Sequence, residues 1–209
     1  MKSMFEKAIG EQFNQMHPDL QKKYALHSES GYMVITEGTM HEIKGGSLLV
    51  RKVSILGTKL NFAFPERGDE IPFYMENKAY IDHRGKESMT WKRTFRFPKT
   101  VRYFHDEMKE GDSPDTVDNL TDQWGIVRLP LDLKVTKTGG MLLTSRTMTA
   151  HLFGNVIKIP SFLGVKATVI EEYNQEKDLF DVHIHIYQPL FGTILSYKGT
   201  VRMRFPQVG

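Results

Sequence analysis

Before Gly31 the apolar residues recur at helical spacing, and after it they mostly alternate at period two, so the chain divides at a change of period. Phe5, Ile9, Phe13 and Met16 mark one side of an opening helix. Ser3 and Glu6 have the spacing of a capping box, and Gly10 weakens the helix without breaking its pattern. His17-Pro18 interrupts it, and Pro18 suits the first turn of a second short helix presenting Leu20 and Tyr24.

From Tyr32 the predicted elements are short strands. Tyr32–Ile43 ends in a Lys44-Gly45-Gly46 turn. Ser47–Gly57 fits either a short helix or strand over Leu48–Val50 and Val53–Leu56; the helix is favoured because Leu49, Val53 and Leu56 are spaced nearer 3.6 than 2. Thr58–Ile71 reads as a loop. Strands follow over Phe73–Ile81, Met89–Phe97, Val101–Met108, Val127–Val135, Met141–Leu152, Val165–Tyr173 and Leu179–Tyr187, with one or two more over Thr193–Phe205. Polar turns separate them at Asp82–Gly85, Lys109–Asp115, Thr138–Gly140, Phe153–Asn155 and Asn174–Asp178. Pro130 gives the Val127–Val135 strand an accessible side or an edge. Regular short strands with tight turns predict a mainly β (α+β) protein: an antiparallel, strongly curved sheet or a lipocalin- or calycin-like barrel with an N-terminal helical segment. No linker or repeat interrupts the chain, which is read as one domain, residues 1–209, with a helical lead over 1–26 and a β-rich body over 32–205.

The run Met89-Thr90-Trp91-Lys92-Arg93-Thr94-Phe95-Arg96-Phe97 is the sharpest pattern. It puts Met89, Trp91, Arg93, Phe95 and Phe97 on one face and Thr90, Lys92, Thr94 and Arg96 on the other. A permanent charge therefore falls among aromatics on what is expected to be the inner face. An unpaired buried charge is too costly to persist. Arg93 needs a carboxylate (Glu37, Asp132, Glu107 or Asp181), a ring of carbonyls, or an anionic ligand whose apolar tail Trp91 and Phe95 would hold. Arg146 is a second candidate inner-face cation, on poorer alternation.

Composition narrows the choices. The 209 residues are 40% hydrophobic, enough for a real core, and the net charge is only +3. The excess is scattered with no basic stripe, so nucleic acid is not an expected partner. There is no cysteine, which removes disulfides and thiolate chemistry and suits a reducing compartment. No apolar leader and no membrane-length apolar run is seen, and a cytoplasmic location is expected. Asn119-Leu120-Thr121 matches a glycosylation sequon and reads as loop.

Asp181, His183, His185 and Tyr187 share one strand face, and two imidazoles at that spacing can share a metal. Phe180, Val182, Ile184 and Ile186 form the apolar face opposite, so the plainer reading leaves those histidines on a solvated face, with no metal and no cofactor. His41, His105 or His151 would complete a site only if the fold brought one near. Phosphate-cradling glycine motifs, the nucleophile elbow and the zinc-protease motif are absent.

Trp91-Lys-Arg93-Thr-Phe95, Gly139-Gly140, Leu152-Phe153-Gly154 with Pro160, Phe180-Asp181-Val182 and Tyr197-Lys-Gly199 stand in a familiar order. With the opening Met4–Gly10 and His17-Pro18, the chain resembles a bacterial domain of unknown function, number 4166, over nearly its whole length. That resemblance implies a modular domain, free-standing or fused behind saccharopine-dehydrogenase-like or multi-pass membrane segments, and it brings no activity and no catalytic residues. The leading expectation is a binding or accessory domain for a small apolar or amphipathic molecule, with Trp91, Arg93, Phe95 and Arg146 at the site and a small apolar or anionic ligand or a partner protein as its partner. The alternatives are a structural or interaction domain with a filled core, and an enzyme using Arg93 with His183 or Asp181 in the same cavity.

Overall fold

A computed structural model describes residues 1–58, 63–120, 126–152 and 155–208, apart from the side chains of Leu49, Val53 and Leu56. Helix α1 (Met4–Ile9) is capped as its sequence requires: Ser3 accepts from the Glu6 amide and Glu6 accepts from the Ser3 amide. Gly10, at φ +65°, ends α1 where the pattern reading let the helix continue. A tighter 3-10 turn over Gly10–Gln15 carries the same apolar side onward, so Phe5, Phe13 and Met16 are buried despite the break. Helix α2 (Pro18–Tyr24) starts at the proline and buries Leu20 and Tyr24.

Among the described residues twelve strands follow: β1 (Val34–Lys44), β2 (Gly68–Ile81), β3 (Glu87–Phe97), β4 (Thr100–Glu110), β5 (Thr116–Leu120), β6 (Val127–Val135), β7 (Met141–Ser145), β8 (Thr149–Leu152), β9 (Asn155–Lys158), β10 (Lys166–Asn174), β11 (Leu179–Gln188) and β12 (Gly192–Arg204). Helix α3 (Leu48–Thr58) joins β1 to β2. Ten of the strands form a closed antiparallel barrel in the order β5-β4-β3-β2-β1-β12-β11-β10-β7-β6, and the β5–β6 pairing closes it. Hairpin β8–β9 hangs from β6 outside that ring. The helical lead packs at the end that carries the β2–β3, β4–β5, β6–β7 and β10–β11 turns. The His17 amide donates to Gly139 in the β6–β7 turn, and the His17 ring stacks on Tyr173 of β10.

Several expectations change. β2 begins at Gly68, inside the expected loop. β5 was not expected: Asp118 and Asn119 are poor strand formers, and all five of its residues are buried, so no alternation marks it. Asn119 is therefore a buried strand residue rather than part of a loop, and Thr121 lies outside the described residues. β6 is no edge, since β5 and β7 flank it, and Pro130 sits at the closing seam opposite Asp118. Met141–Leu152 splits into β7 and β8, whereas Thr193–Phe205 stays one strand. The turn expected at Phe153-Gly154 falls outside the described residues.

Strand β3 behaves as its pattern predicts. Met89, Trp91, Arg93, Phe95 and Phe97 are buried, Lys92 and Arg96 are exposed, and Thr90 and Thr94 are half-buried. At the helical end the interior is filled, with Phe5 packed edge-on to Tyr24 at 5.0 Å and stacked over Trp91 at 6.4 Å. Such aromatic burial contributes about 2–3 kcal/mol per side chain.

Candidate functional site

Above this plug the barrel is hollow. A cavity of about 290 Å³ opens between the sheet walls. Its walls are mainly apolar: Phe104 and Met108 of β4, Leu129 and Leu131 of β6, Leu143 of β7, Ala167 and Val169 of β10, Ile184 and Ile186 of β11, and Ile194 and Leu195 of β12. Ser54 of α3, Ala63, Phe64, Arg67, Met148 and Val165 line it from the connections at the end away from the helical lead. Strand periodicity explains why these residues meet. Strands put every second side chain inward, with a register shift at Ile194 bringing both Ile194 and Leu195 to the lining, and closure turns the inward faces toward one axis.

The main polar cluster of the cavity lies on β3, β4 and β5, with Ser54 and Arg67 polar at the other end. Arg93 donates from Nη1 to Asp106 Oδ1 at 3.0 Å, and both side chains are only 6% exposed. Asn119 of β5 donates to the other Asp106 oxygen at 2.7 Å. The guanidinium lies between the rings of Trp91 and Phe104, with its central carbon 5.1 and 5.2 Å from their centres. Burial alone would lower the Arg93 pKa, but Asp106, and beyond it Tyr197 and Glu171, raise it, so the charge is held. Burial is also the main cause that pushes the Tyr197 phenol up to about 12.

A second buried pair lies beneath, on the plug side. Lys23 of α2 donates to both oxygens of Glu171 at 2.5 and 2.8 Å, and the Tyr24 hydroxyl reaches the same carboxylate at 3.0 Å. Burial pulls the Lys23 ammonium below its ordinary value in spite of Glu171, and burial together with Glu171 drives the Tyr24 phenol well up. Two cations and two carboxylates thus form a balanced polar floor. Its net formal charge is zero.

The residues singled out from the sequence separate. Arg93 and Trp91 line the cavity. Phe95 stands behind the wall, packed against Phe64, Phe73 and Tyr197 at 4.9–5.2 Å. Arg146 is not on the inner face: it is 38% exposed and bridges Asp115 and Asp132 on the surface, because β7 ends at Ser145 and the alternation stops there. The carboxylate beside Arg93 is Asp106, which was not among the four expected. Of those four, Asp132 bonds Arg146, Glu107 accepts from Tyr80, Glu37 meets Arg204, and Asp181 is held by Asn174 and Lys177.

His183 and His185 project from β11 opposite to Ile184 and Ile186, which line the cavity. Each meets a hydroxyl of β12, His183 at Ser196 (3.2 Å) and His185 at Thr193 (3.0 Å). His183 and Asp181 therefore do not line the cavity that holds Arg93. Among the described residues no group of three His, Cys, Asp or Glu side chains is placed to share a metal. Asp106 and Asn119 are the site residues the pattern missed. Counting outward from the Pro98-Lys99 turn pairs Trp91 with Asp106 and Arg93 with Phe104, so the hairpin register carried the signal.

The chain is 31% identical over 203 residues to the uncharacterized protein YndH of Bacillus subtilis (strain 168), covering 96% of each. No solved structure matches it. The family described as "Domain of unknown function (DUF4166)" matches residues 16–201, and the chain belongs to that family.

Proposed function

We propose that the barrel binds a small, largely apolar molecule carrying one uncharged polar group, and that it serves as a carrier or accessory module. The observation that supports this most directly is the hollow upper barrel: about 290 Å³ with mainly apolar walls, a polar floor at Arg93, Asp106 and Asn119, and Ser54 and Arg67 at the opposite end. Ligand sites are typically mostly apolar with a few convergent polar groups, and this volume sits at the lower end of their range of roughly 300–1,000 Å³.

The choice of an uncharged group follows from charge balance. Arg93 already faces Asp106, so a carboxylate entering beside the guanidinium would gain one cation and meet one anion. A hydroxyl or amide can accept from the donors Arg93 does not spend on Asp106, and can donate to a carboxylate oxygen. The ring faces of Trp91 and Phe104 flank that point.

Titration with the neutral probe N-phenyl-1-naphthylamine tests the reading. A saturable fluorescence rise at one probe per chain is expected, with decanol displacing the probe more effectively than decanoate. Ala167→Phe, which fills the cavity from β10, should abolish the signal while circular dichroism stays unchanged. An unsaturable signal, or one indifferent to Ala167→Phe in a folded protein, overturns the proposal. Displacement by decanoate in preference to decanol overturns the uncharged group alone.

A further inference from the structure

The end of the barrel away from the helical lead has an uneven surface chemistry. In an antiparallel meander alternate connections share an end, so the β1–β2, β3–β4, β7–β10 and β11–β12 connections gather around the cavity mouth. Six large apolar side chains there are each half exposed or more: Leu48 and Ile55 on α3, Phe162 and Leu163 before β10, and Leu190 and Phe191 between β11 and β12. Exposed apolar patches of this kind mark surfaces that meet something else.

Two clamps hold these connections together. Buried Gln188 donates to the Phe162 carbonyl at 2.7 Å and accepts from the amides of Leu190 and Phe191, which ties the two apolar loops to each other. Arg67 donates to Gly45 at 2.6 Å, to Phe64 at 3.0 Å and to Ile194 at 2.8 Å, which ties the flanks of α3 to the start of β12. The apolar tips are therefore presented by fastened loops.

The charge around them is predominantly positive, although Asp69 and Glu70 are exposed where β2 begins. No Asp or Glu occurs between Glu42 and Glu66, between Asp132 and Glu171, or after Asp181. The same connections carry Lys52, Lys99 and Lys158, all exposed, while Glu66 is taken up by Arg102. Residues 121–125, Asp122 among them, lie outside the described residues. The barrel wall differs: its outward positions include Lys92, Arg96, Lys198 and Arg202, which does not match the apolar lipid-facing band of a membrane barrel.

We infer that the cavity mouth docks onto an anionic lipid surface, with the apolar tips entering the headgroup region and the lysines facing the phosphates. Apolar side chains supported by basic ones are how peripheral elements hold to charged membranes. The inference stands on the surface and does not require the cavity to bind anything.

Flotation of the full chain with phosphatidylcholine vesicles, with and without phosphatidylglycerol, tests it. Binding should be on the order of a hundredfold stronger with phosphatidylglycerol, since three exposed lysines each add to the attraction. It should fade in molar salt, where the screening length falls to about 3 Å. Phe162→Asp combined with Phe191→Asp should lose it, with the circular dichroism spectrum unchanged because both side chains are exposed. Equal binding to both vesicle types overturns the inference, as does wild-type behaviour of the folded double variant. So does wild-type protein that ignores vesicles but forms a dimer that the double variant lacks, which would assign the face to a second copy of the chain.

Discussion

Arg93 illustrates what one residue can and cannot reveal. Its place on the apolar face of β3 follows from alternation alone, and so does its need for a partner. The partner's identity depends on which strand lies beside β3 and in what register, and Asp106 becomes visible only through the hairpin pairing. The pair should behave as a buried one. Arg93→Met is expected to cost about 3–5 kcal/mol in urea unfolding, because it leaves the Asp106 charge in a low-dielectric interior with Asn119 as its remaining support. Adding Asp106→Leu should recover most of that loss. A single variant within about 1 kcal/mol of wild type would show that the pair adds little to folding. Arg146 shows the opposite case: weak alternation was a correct warning, and the side chain turned outward to Asp115 and Asp132.

Among the elements, those governed by local rules were readable. The capping box at Ser3, the proline start of α2 and the α3 helix stand where spacing and cap chemistry place them. Strand β5 was hidden because its polar residues find partners on other strands: one Asp118 oxygen meets Arg128 across the β5–β6 seam at 3.5 Å and Asn119 meets Asp106. Strand β12 holds a sharper constraint. A Cβ on Gly199 would lie 2.0 Å from the Thr39 carbonyl oxygen, inside the β1–β12 ladder, where backbone on both sides leaves no room to yield. Gly199→Ala is expected to cost about 3 kcal/mol or more through this clash, read as a fall in the thermal midpoint. An unchanged midpoint would mean that the two strands can separate there at little cost.

For the molecule as a whole, closure of ten strands decides the interior. The inward side chains fill one end together with Phe5, Leu20 and Tyr24 from the helical lead, while the other end stays hollow. The buried phenols at this boundary make global stability sensitive to alkali. Unfolded tyrosine ionises near 10, whereas folded Tyr197 keeps its proton to about 12 and Tyr24 holds its own well above the ordinary value. The unfolded chain therefore releases protons first, and stability is full below pH 10 and falls as pH rises through that window. The slope should approach 1.4 kcal/mol per pH unit for each such phenol. Tyr197→Phe should flatten it in urea titrations at successive pH values. An identical slope would show that Tyr197 ionises in place.

Sequence by itself determined the helical lead, the strand-rich body, the inward face of β3 and the need to balance Arg93. These depend on periods, caps and turns within a few residues, where each side chain's environment repeats along its own element. Only the tertiary structure decided that β5 and β6 close the sheet, that Asp106 and Asn119 complete the floor, and that a cavity is left above it. Register between strands and the volume enclosed by a closed sheet belong to pairs and rings of elements, so no single stretch of the chain carries them.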